Sequence, residues 1–224
     1  MDLKNENFDF TKIIPIGAVF ITLCSSIHYI FYYNFFNIRI INYLTITEYA
    51  SLFLEHILAY LIIIFGGFIF SFLSNNWPKK SGKGSVIFGM SIVIIYTLVR
   101  LFFFSEKINE RINEVTFIIF YIIFLVFYLR RLKNKNLNVL VYLAIISIVY
   151  SVSSGFVSAY KVIENESKLK YEFKFEENTI SSSEKKYYLG RSENYLFFYN
   201  NTSKVSEVIK TNNLKSINIL EKNN

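Results

Sequence analysis

Four ionisable side chains lie inside or at the edge of long apolar runs, where such groups are rare. They are His28, Glu55, His56 and Arg100. An unpaired charge near the middle of a membrane costs about 2.5–3.5 kcal/mol on insertion scales, which favours pairing. One hypothesis is that Glu55 and Arg100 form an ion pair with His56 or His28 nearby, which orders the helices or lines a polar cavity. The plainer alternative places Glu55 at the membrane interface and lets Arg100 extend to lipid headgroups.

A second pattern runs through the last apolar segment, where small and partly polar residues recur every three or four positions. This small-residue face consists of Ala144, Ser147, Ser151, Ser154, Gly155 and Ser158. Small residues at this spacing let helices approach closely in lipid, and serines can hydrogen-bond across the contact. We expect a helix contact, with the contact between subunits as the leading candidate. The alternative is a narrow aqueous path lined by this face from several copies.

The composition argues against several kinds of chemistry. Aspartate occurs only at positions 2 and 9, and the chain has two histidines and one cysteine, Cys24. This inventory excludes an internal disulfide and a cysteine-rich metal site. Neither histidine has a metal-ligand partner three or four positions on, and no serine lies in a G-x-S-x-G turn. We expect no catalytic residue, no metal and no cofactor.

The elements that position these residues are five apolar runs. The chain of 224 residues is 53% hydrophobic, and its runs approach the length that crosses about 30 Å of hydrocarbon. They predict a membrane all-α bundle of about five transmembrane helices within residues 1–160, at 13–36, 49–73, 86–104, 115–129 and 137–160. The fourth run is short, since fifteen residues of helix extend only about 22 Å. A re-entrant segment at 115–129 is therefore the alternative to a full span.

Two loops between the runs carry basic residues and no acid, which sets the expected orientation. They contain Lys79, Lys80 and Lys83 in one loop, and Arg130, Arg131, Lys133 and Lys135 in the other. With five spans both loops lie on one side, and the positive-inside rule makes that side the cytoplasm. The N-terminus is then cytoplasmic and the C-terminal tail extracytoplasmic. A re-entrant fourth run would make the tail cytoplasmic and put the two loops on opposite sides.

The tail, residues 161–224, changes period from helix to strand. Between positions 169 and 176 apolar residues alternate with Lys and Glu, the pattern of a half-buried strand. Further strands are predicted at Lys186–Leu189, Tyr195–Tyr199, Lys204–Lys210 and Leu214–Leu220, with turns at 200–203 and 211–213. A tail of this length can bury only a modest core. We therefore expect this small β-strand-rich module to pack against the helices or against copies of itself.

Several short-looped apolar runs followed by this tail resemble the small bacterial membrane proteins of anti-phage defence, in particular the membrane subunit of the Kiwa system. The tail carries the resemblance through the segments Tyr188–Ser192 and Tyr195–Tyr199. The resemblance implies an oligomeric membrane subunit that senses perturbation of the envelope and works with a soluble partner. If the tail is extracytoplasmic, a cytoplasmic partner must bind the basic loops instead.

The patterns predict a non-enzymatic, homo-oligomeric membrane protein, and the resemblance implies a bacterial inner-membrane sensor or scaffold in anti-phage defence. The alternative of a different class is a small channel or transport subunit whose serine-rich face conducts, and a membrane enzyme is a third option. The expected partners are the lipid bilayer, further copies of the chain and a soluble protein. The net charge of +7 lies mostly in short loops, so direct nucleic-acid binding is not expected.

Overall fold

The computed structural model describes residues 10–75, 82–133, 139–164 and 169–221. Within these residues the chain forms five α-helices, one short 3-10 helix and six β-strands. The helices are α1 Phe10–Phe35, α2 Ile46–Asn75, α3 Gly82–Phe103, α4 Ile108–Lys133 and α5 Val139–Ile163, and the 3-10 helix is Ile40–Asn42. The prediction of long apolar helices followed by a strand-rich tail is confirmed.

Three of the described helical segments are long and apolar enough to cross a membrane. They are Pro15–Phe35, Ile108–Arg130 and Val141–Ile163, and a shorter apolar helix covers Ser91–Phe103. Helix α4 is longer than the apolar run that marked it, because it begins seven residues earlier with the polar turn from Ile108. Its 26 residues extend about 39 Å at 1.5 Å per residue, which removes the length problem of the fourth run.

Helix α5 is the centre of the bundle and contacts α1, α2 and α4, while α2 also packs on α1 and α3 on α4. Successive helices run in opposite directions, so their ends lie alternately near the strands and away from them. Contacts to the strands are made by the end of α1, the start of α2 and the end of α5. The start of α4 is hydrogen-bonded to the residue that follows α5. The opposite ends of α2 and α4 are followed by residues 76–81 and 134–138, which lie outside the described residues.

The tail folds into two antiparallel three-stranded sheets. The strands are β1 Leu169–Phe175, β2 Thr179–Ser181, β3 Lys186–Arg191, β4 Tyr195–Asn200, β5 Val205–Lys210 and β6 Leu214–Glu221. One sheet has the order β2-β1-β6 and the other β3-β4-β5. We name these six strands the β module.

Strand β4 is buried on both faces, which is why its sequence is an unbroken apolar run. Leu196 and Phe198 face the other sheet and pack around Phe173 of β1. Phe197 and Tyr199 alternate with them and face the helices. The module is therefore built in layers, with the β3-β4-β5 sheet between the helix ends and the β2-β1-β6 sheet.

Candidate functional site

The two histidines meet in the interior of the bundle. His28 of α1 is 7% exposed, and its ring centroid lies 4.4 Å from that of His56 on α2. The His28 Nδ1 atom lies 2.8 Å from the Ser154 hydroxyl of α5. One helical turn deeper, the Tyr60 hydroxyl of α2 lies 2.8 Å from that of Ser151. We name these five residues the polar seam; it joins three helices.

Hydrogen-bond geometry gives the seam a direction. Ser151 Oγ lies 2.7 Å from the Ser147 carbonyl, which can only accept, so Ser151 donates there and the Tyr60 hydroxyl donates to Ser151. Ser154 Oγ likewise lies 3.1 Å from the Ser151 carbonyl, which leaves His28 Nδ1 as the donor to Ser154. A chain of donors thus runs from α1 and α2 into the backbone of α5. This arrangement holds the helices together, because the hydrogen bonds link α1 and α2 to α5 of the same chain.

The small-residue face of α5 packs against other helices of the same chain. Ser147 and Ser151 are 0% exposed. A Cβ atom on Gly155 would lie 2.6 Å from the His28 carbonyl oxygen, so α1 and α5 touch there through their backbones. Ala144, Ser154 and Ser158 are partly buried along the same helix. At Ser147, Ser151 and Gly155 the face makes a helix contact within one chain. A contact between subunits through the rest of the face stays a prediction.

Arg100 forms an ion pair with a carboxylate that the sequence analysis did not consider. Its Nε atom lies 3.2 Å from a carboxylate oxygen of Glu114 on α4, and the Glu114 side chain is 8% exposed. The expected partner, Glu55, lies on α2, and its side chain is outside the described residues. The pairing of Arg100 with Glu55 therefore stays a prediction beside the observed pairing with Glu114. Sequence reasoning missed Glu114 because it assigned that residue to a loop, whereas α4 has already begun.

The basic residues of the two acid-free loops are described only in part. Arg130 lies on α4, where its side chain is exposed. Lys83, Arg131 and Lys133 lie on helices, but their side chains are outside the described residues, as are Lys79, Lys80 and Lys135 entirely.

The second region of interest is the junction between the helices and the β module. Helix α1 ends at Phe35, and two residues later Asn37 has a φ of 59°, the left-handed conformation that asparagine tolerates better than most residues. The Ile38 amide then donates back to the Tyr33 carbonyl at 3.0 Å, and the Ile38 side chain is 3% exposed. This helix end turns the chain sideways beneath the sheet, and the aromatic end of α1 faces the module.

One hydrophobic core spans the junction. It contains Tyr32 and Tyr33 of α1, Phe36 directly after that helix, Ala159 of α5, and Tyr187, Leu189, Phe197 and Tyr199 of the module, with Ile38 and Ile40 between them. The rings of Tyr33 and Phe197 meet at 5.1 Å, and those of Phe36 and Tyr199 at 5.0 Å. The expectation that the module leans on the helices is confirmed. No sequence period could have shown this contact, because its partners are more than 150 residues apart.

A bulge in the sheet adapts β3 to the helices. Its pairing with β4 shifts between Tyr188 and Gly190, leaving Leu189 without a partner in the ladder. The Leu189 carbonyl instead accepts a hydrogen bond from the Tyr32 hydroxyl at 2.8 Å. Gly190 follows with φ of 139°, and a Cβ atom there would lie 2.4 Å from the Tyr33 hydroxyl. Glycine is required at this position both by its backbone angle and by the close approach of the helix.

Helix α2 is tied to the module by its first turn. Thr45 and Glu48 form a capping box, in which the Thr45 amide donates to Glu48 at 2.7 Å and the Glu48 amide to Thr45 at 3.3 Å. The second carboxylate oxygen of Glu48 accepts from the Glu193 amide in the turn between β3 and β4. A single side chain thus starts the helix and holds the tip of a hairpin.

Helices α4 and α5 complete the junction. The Tyr187 hydroxyl donates to the Ile163 carbonyl at the end of α5, at 3.4 Å. One residue on, the Glu164 carboxylate accepts from the Ile108 amide at 3.0 Å, which satisfies the first turn of α4. The module therefore contacts α1, α2 and α5 directly. Helix α4 is linked to it through the hydrogen bond between Ile108 and Glu164, which follows α5.

The described residues contain no group of three or more histidine, cysteine, aspartate or glutamate side chains placed to hold a metal ion. The polar seam and the junction both work through buried hydrogen bonds and ring contacts. Searches against protein-family models, curated proteins and solved structures find no match to the chain.

Proposed function

We propose that this chain is an oligomeric, non-enzymatic protein of the bacterial inner membrane that acts as a sensor or scaffold. In this proposal all five helices cross the bilayer, and the β module lies on the extracytoplasmic side. The alternation of helix ends supports this topology, because the module and the acid-free basic loops follow opposite ends of the bundle. The defence role implied by the resemblance to Kiwa-type membrane subunits stays a prediction.

The observation that carries the proposal is the shared core of the junction. A module tethered by a loop could not report its position to the helices. Here Tyr33 and Phe36, at the end of α1 and directly after it, pack on the sheet. Glu48 binds the β3–β4 turn, and Tyr187 binds the end of α5. A force or ligand acting on the module therefore acts on α1, α2 and α5 together.

The polar seam adds the second element that a sensor needs, which is a helix interface that can change. His28, Tyr60 and Ser154 cross it with directional hydrogen bonds instead of only apolar packing. Such bonds in a membrane contribute about 0.6–2 kcal/mol each, so a rotation of α1 can break the bond between His28 and Ser154 at a small cost. The seam lies on the same three helices that the module contacts.

A channel is the alternative function, and the polar seam is the observation that favours it. Polar side chains at mid-helix can line an aqueous path. Two facts oppose it in a single copy: Ser147 and Ser151 are 0% exposed, and Gly155 is in backbone contact with α1. Conduction would require α1 and α5 to separate.

Reconstitution distinguishes the two functions. The purified chain is placed in lipid vesicles, and its oligomeric state and ion flux are measured. The sensor or scaffold predicts oligomers without ion flux, and a soluble protein that copurifies from host membranes with wild type but less with Gly190→Ala. Ion flux that Ser151→Leu abolishes would overturn the proposal in favour of a channel. Purification as a monomer with no copurifying protein would overturn it as well.

A further inference from the structure

A groove on the outer side of the bundle, between α4 and α5, combines an apolar floor with a cation at one end. Its volume is about 490 Å³, and Ile122, Val126, Val141 and Ile145 line it together with Arg130. Ile122 is 50% exposed, Val141 53% and Ile145 41%, so no helix of the described chain covers the groove. In a membrane an apolar groove of this kind faces lipid.

The charge around the open end has one sign. No aspartate or glutamate occurs between Glu114 and Glu164, while Arg130 is followed by Arg131, Lys133 and Lys135. The Arg130 side chain is exposed, and no carboxylate of the described residues pairs with it. A guanidinium group binds phosphate oxygens in a bidentate manner, so the complement of this end is an anionic phosphate.

Two other grooves lack this combination. One of about 300 Å³ lies between α2, α4 and α5, and its lining, which includes Ile63, Phe124 and Leu143, contains no charged residue. Another of about 250 Å³ lies at the opposite end of α4 and does contain a cation, Arg111. The Arg111 Nε atom, however, already donates to the Ser105 carbonyl at 3.1 Å. Of these three grooves, the one at Arg130 combines an apolar floor with a guanidinium group that has no hydrogen bond or ion pair within the described residues.

We propose that this groove binds one anionic phospholipid of the cytoplasmic leaflet, with its phosphate on Arg130 and an acyl chain along Val126, Ile122 and Ile145. From Arg130 to Ile122 the helix descends about 12 Å, which is within one leaflet of a hydrocarbon core about 30 Å thick. The inference rests on the proposed function, since it requires α4 and α5 to cross the membrane with Arg130 on the cytoplasmic side.

Native mass spectrometry of the purified full-length chain tests the site. The chain in detergent is titrated with phosphatidylglycerol and, separately, with phosphatidylcholine of the same acyl chains. We expect selective retention of phosphatidylglycerol, and an apparent affinity about fivefold lower in Arg130→Gln, because one basic residue near an anionic headgroup contributes about that factor. Arg111→Gln is the matched control on the same helix and should retain the lipid as wild type does.

A second pair of variants tests the floor of the groove. Val141→Trp fills the space for the acyl chain and should lower the retention of phosphatidylglycerol, whereas Ile148→Trp, at another exposed position of α5, should leave it unchanged. Glycerol 3-phosphate in excess should not displace the lipid if the acyl chain contributes to binding. Equal retention of both lipids by wild type, or unchanged affinity in both Arg130→Gln and Val141→Trp, overturns the lipid site.

Extraction of host membranes with alkaline carbonate separates this failure from failure of the proposed function. If the chain stays in the membrane while Arg130→Gln and Val141→Trp bind lipid as wild type does, the lipid site alone is wrong. If carbonate releases the chain, the membrane-spanning proposal is wrong and the lipid site is wrong with it.

Discussion

Replacing Gly190 by alanine should detach the β module from α1. Gly190 has φ of 139°, an angle that L residues rarely adopt, and such backbone strain costs about 1–3 kcal/mol. The new Cβ atom would also start 2.4 Å from the Tyr33 hydroxyl, so the ring must move away from Phe197. Loss of that aromatic contact costs about 0.5–1.5 kcal/mol. Together these effects should lower the stability of the junction by about 2–4 kcal/mol.

The measurement is unfolding in detergent micelles, followed by hydrogen exchange of the β3 amides. Gly17→Ala is the matched control, because a Cβ atom there meets nothing within 4 Å and alanine is the better helix former. Adding Tyr33→Phe to Gly190→Ala removes the clashing oxygen and should recover part of the loss. The account of the junction is refuted if Gly190→Ala unfolds and exchanges like wild type, or if Tyr33→Phe adds its own cost in full.

Three further changes test the contacts around the junction. Gly155→Ala places a Cβ atom 2.6 Å from the His28 carbonyl oxygen and should destabilise the α1–α5 contact by about 1–3 kcal/mol in detergent unfolding; wild-type stability contradicts that contact. Glu48→Ala removes the capping box and the bond to the Glu193 amide, so it should cost about 1–2 kcal/mol and speed exchange of that amide, and unchanged exchange argues against the bond. Burial raises the pKa of Tyr188 to about 12, so the folded module holds the proton more tightly than the unfolded chain. The stability that this group contributes is present below pH 10 and is lost as the pH rises towards 12. The stability lost between pH 9 and pH 11 in thermal unfolding should therefore be smaller by about 1 kcal/mol in Tyr188→Phe than in wild type, and an equal loss in that variant refutes the assignment.

The elements of this fold were predictable where a local pattern encodes them. Five of the six strands follow from alternation or from short apolar runs between turns, because side chains of a strand point to opposite faces. Strand β2 was not predicted, since its three residues are too few to show a period. The start of α4 was misplaced because Asn109 and Glu114 are polar; both are buried against neighbouring elements instead of lying in a loop.

The site was predictable only in its parts. His28, His56 and the serines of α5 stood out because polar groups are rare in apolar runs, and the structure brings them together. Their partners depend on helix order and rotation, which is why the carboxylate that meets Arg100 is Glu114. The contact of Tyr32 with the Leu189 carbonyl depends on a bulge and a helix end more than 150 residues apart, and no short pattern encodes both.

The central claim is that the β module and the acid-free basic loops lie on opposite sides of the membrane. Cysteine labelling tests it directly in a Cys24→Ala background, which removes the one native thiol. Lys204→Cys places a thiol on the exposed turn after β4, and Lys135→Cys places one in the basic loop. We predict that a membrane-impermeant maleimide labels Lys204→Cys once the outer membrane is permeabilised, and labels Lys135→Cys only after the inner membrane is disrupted. Labelling of both thiols from the same side would contradict the claim.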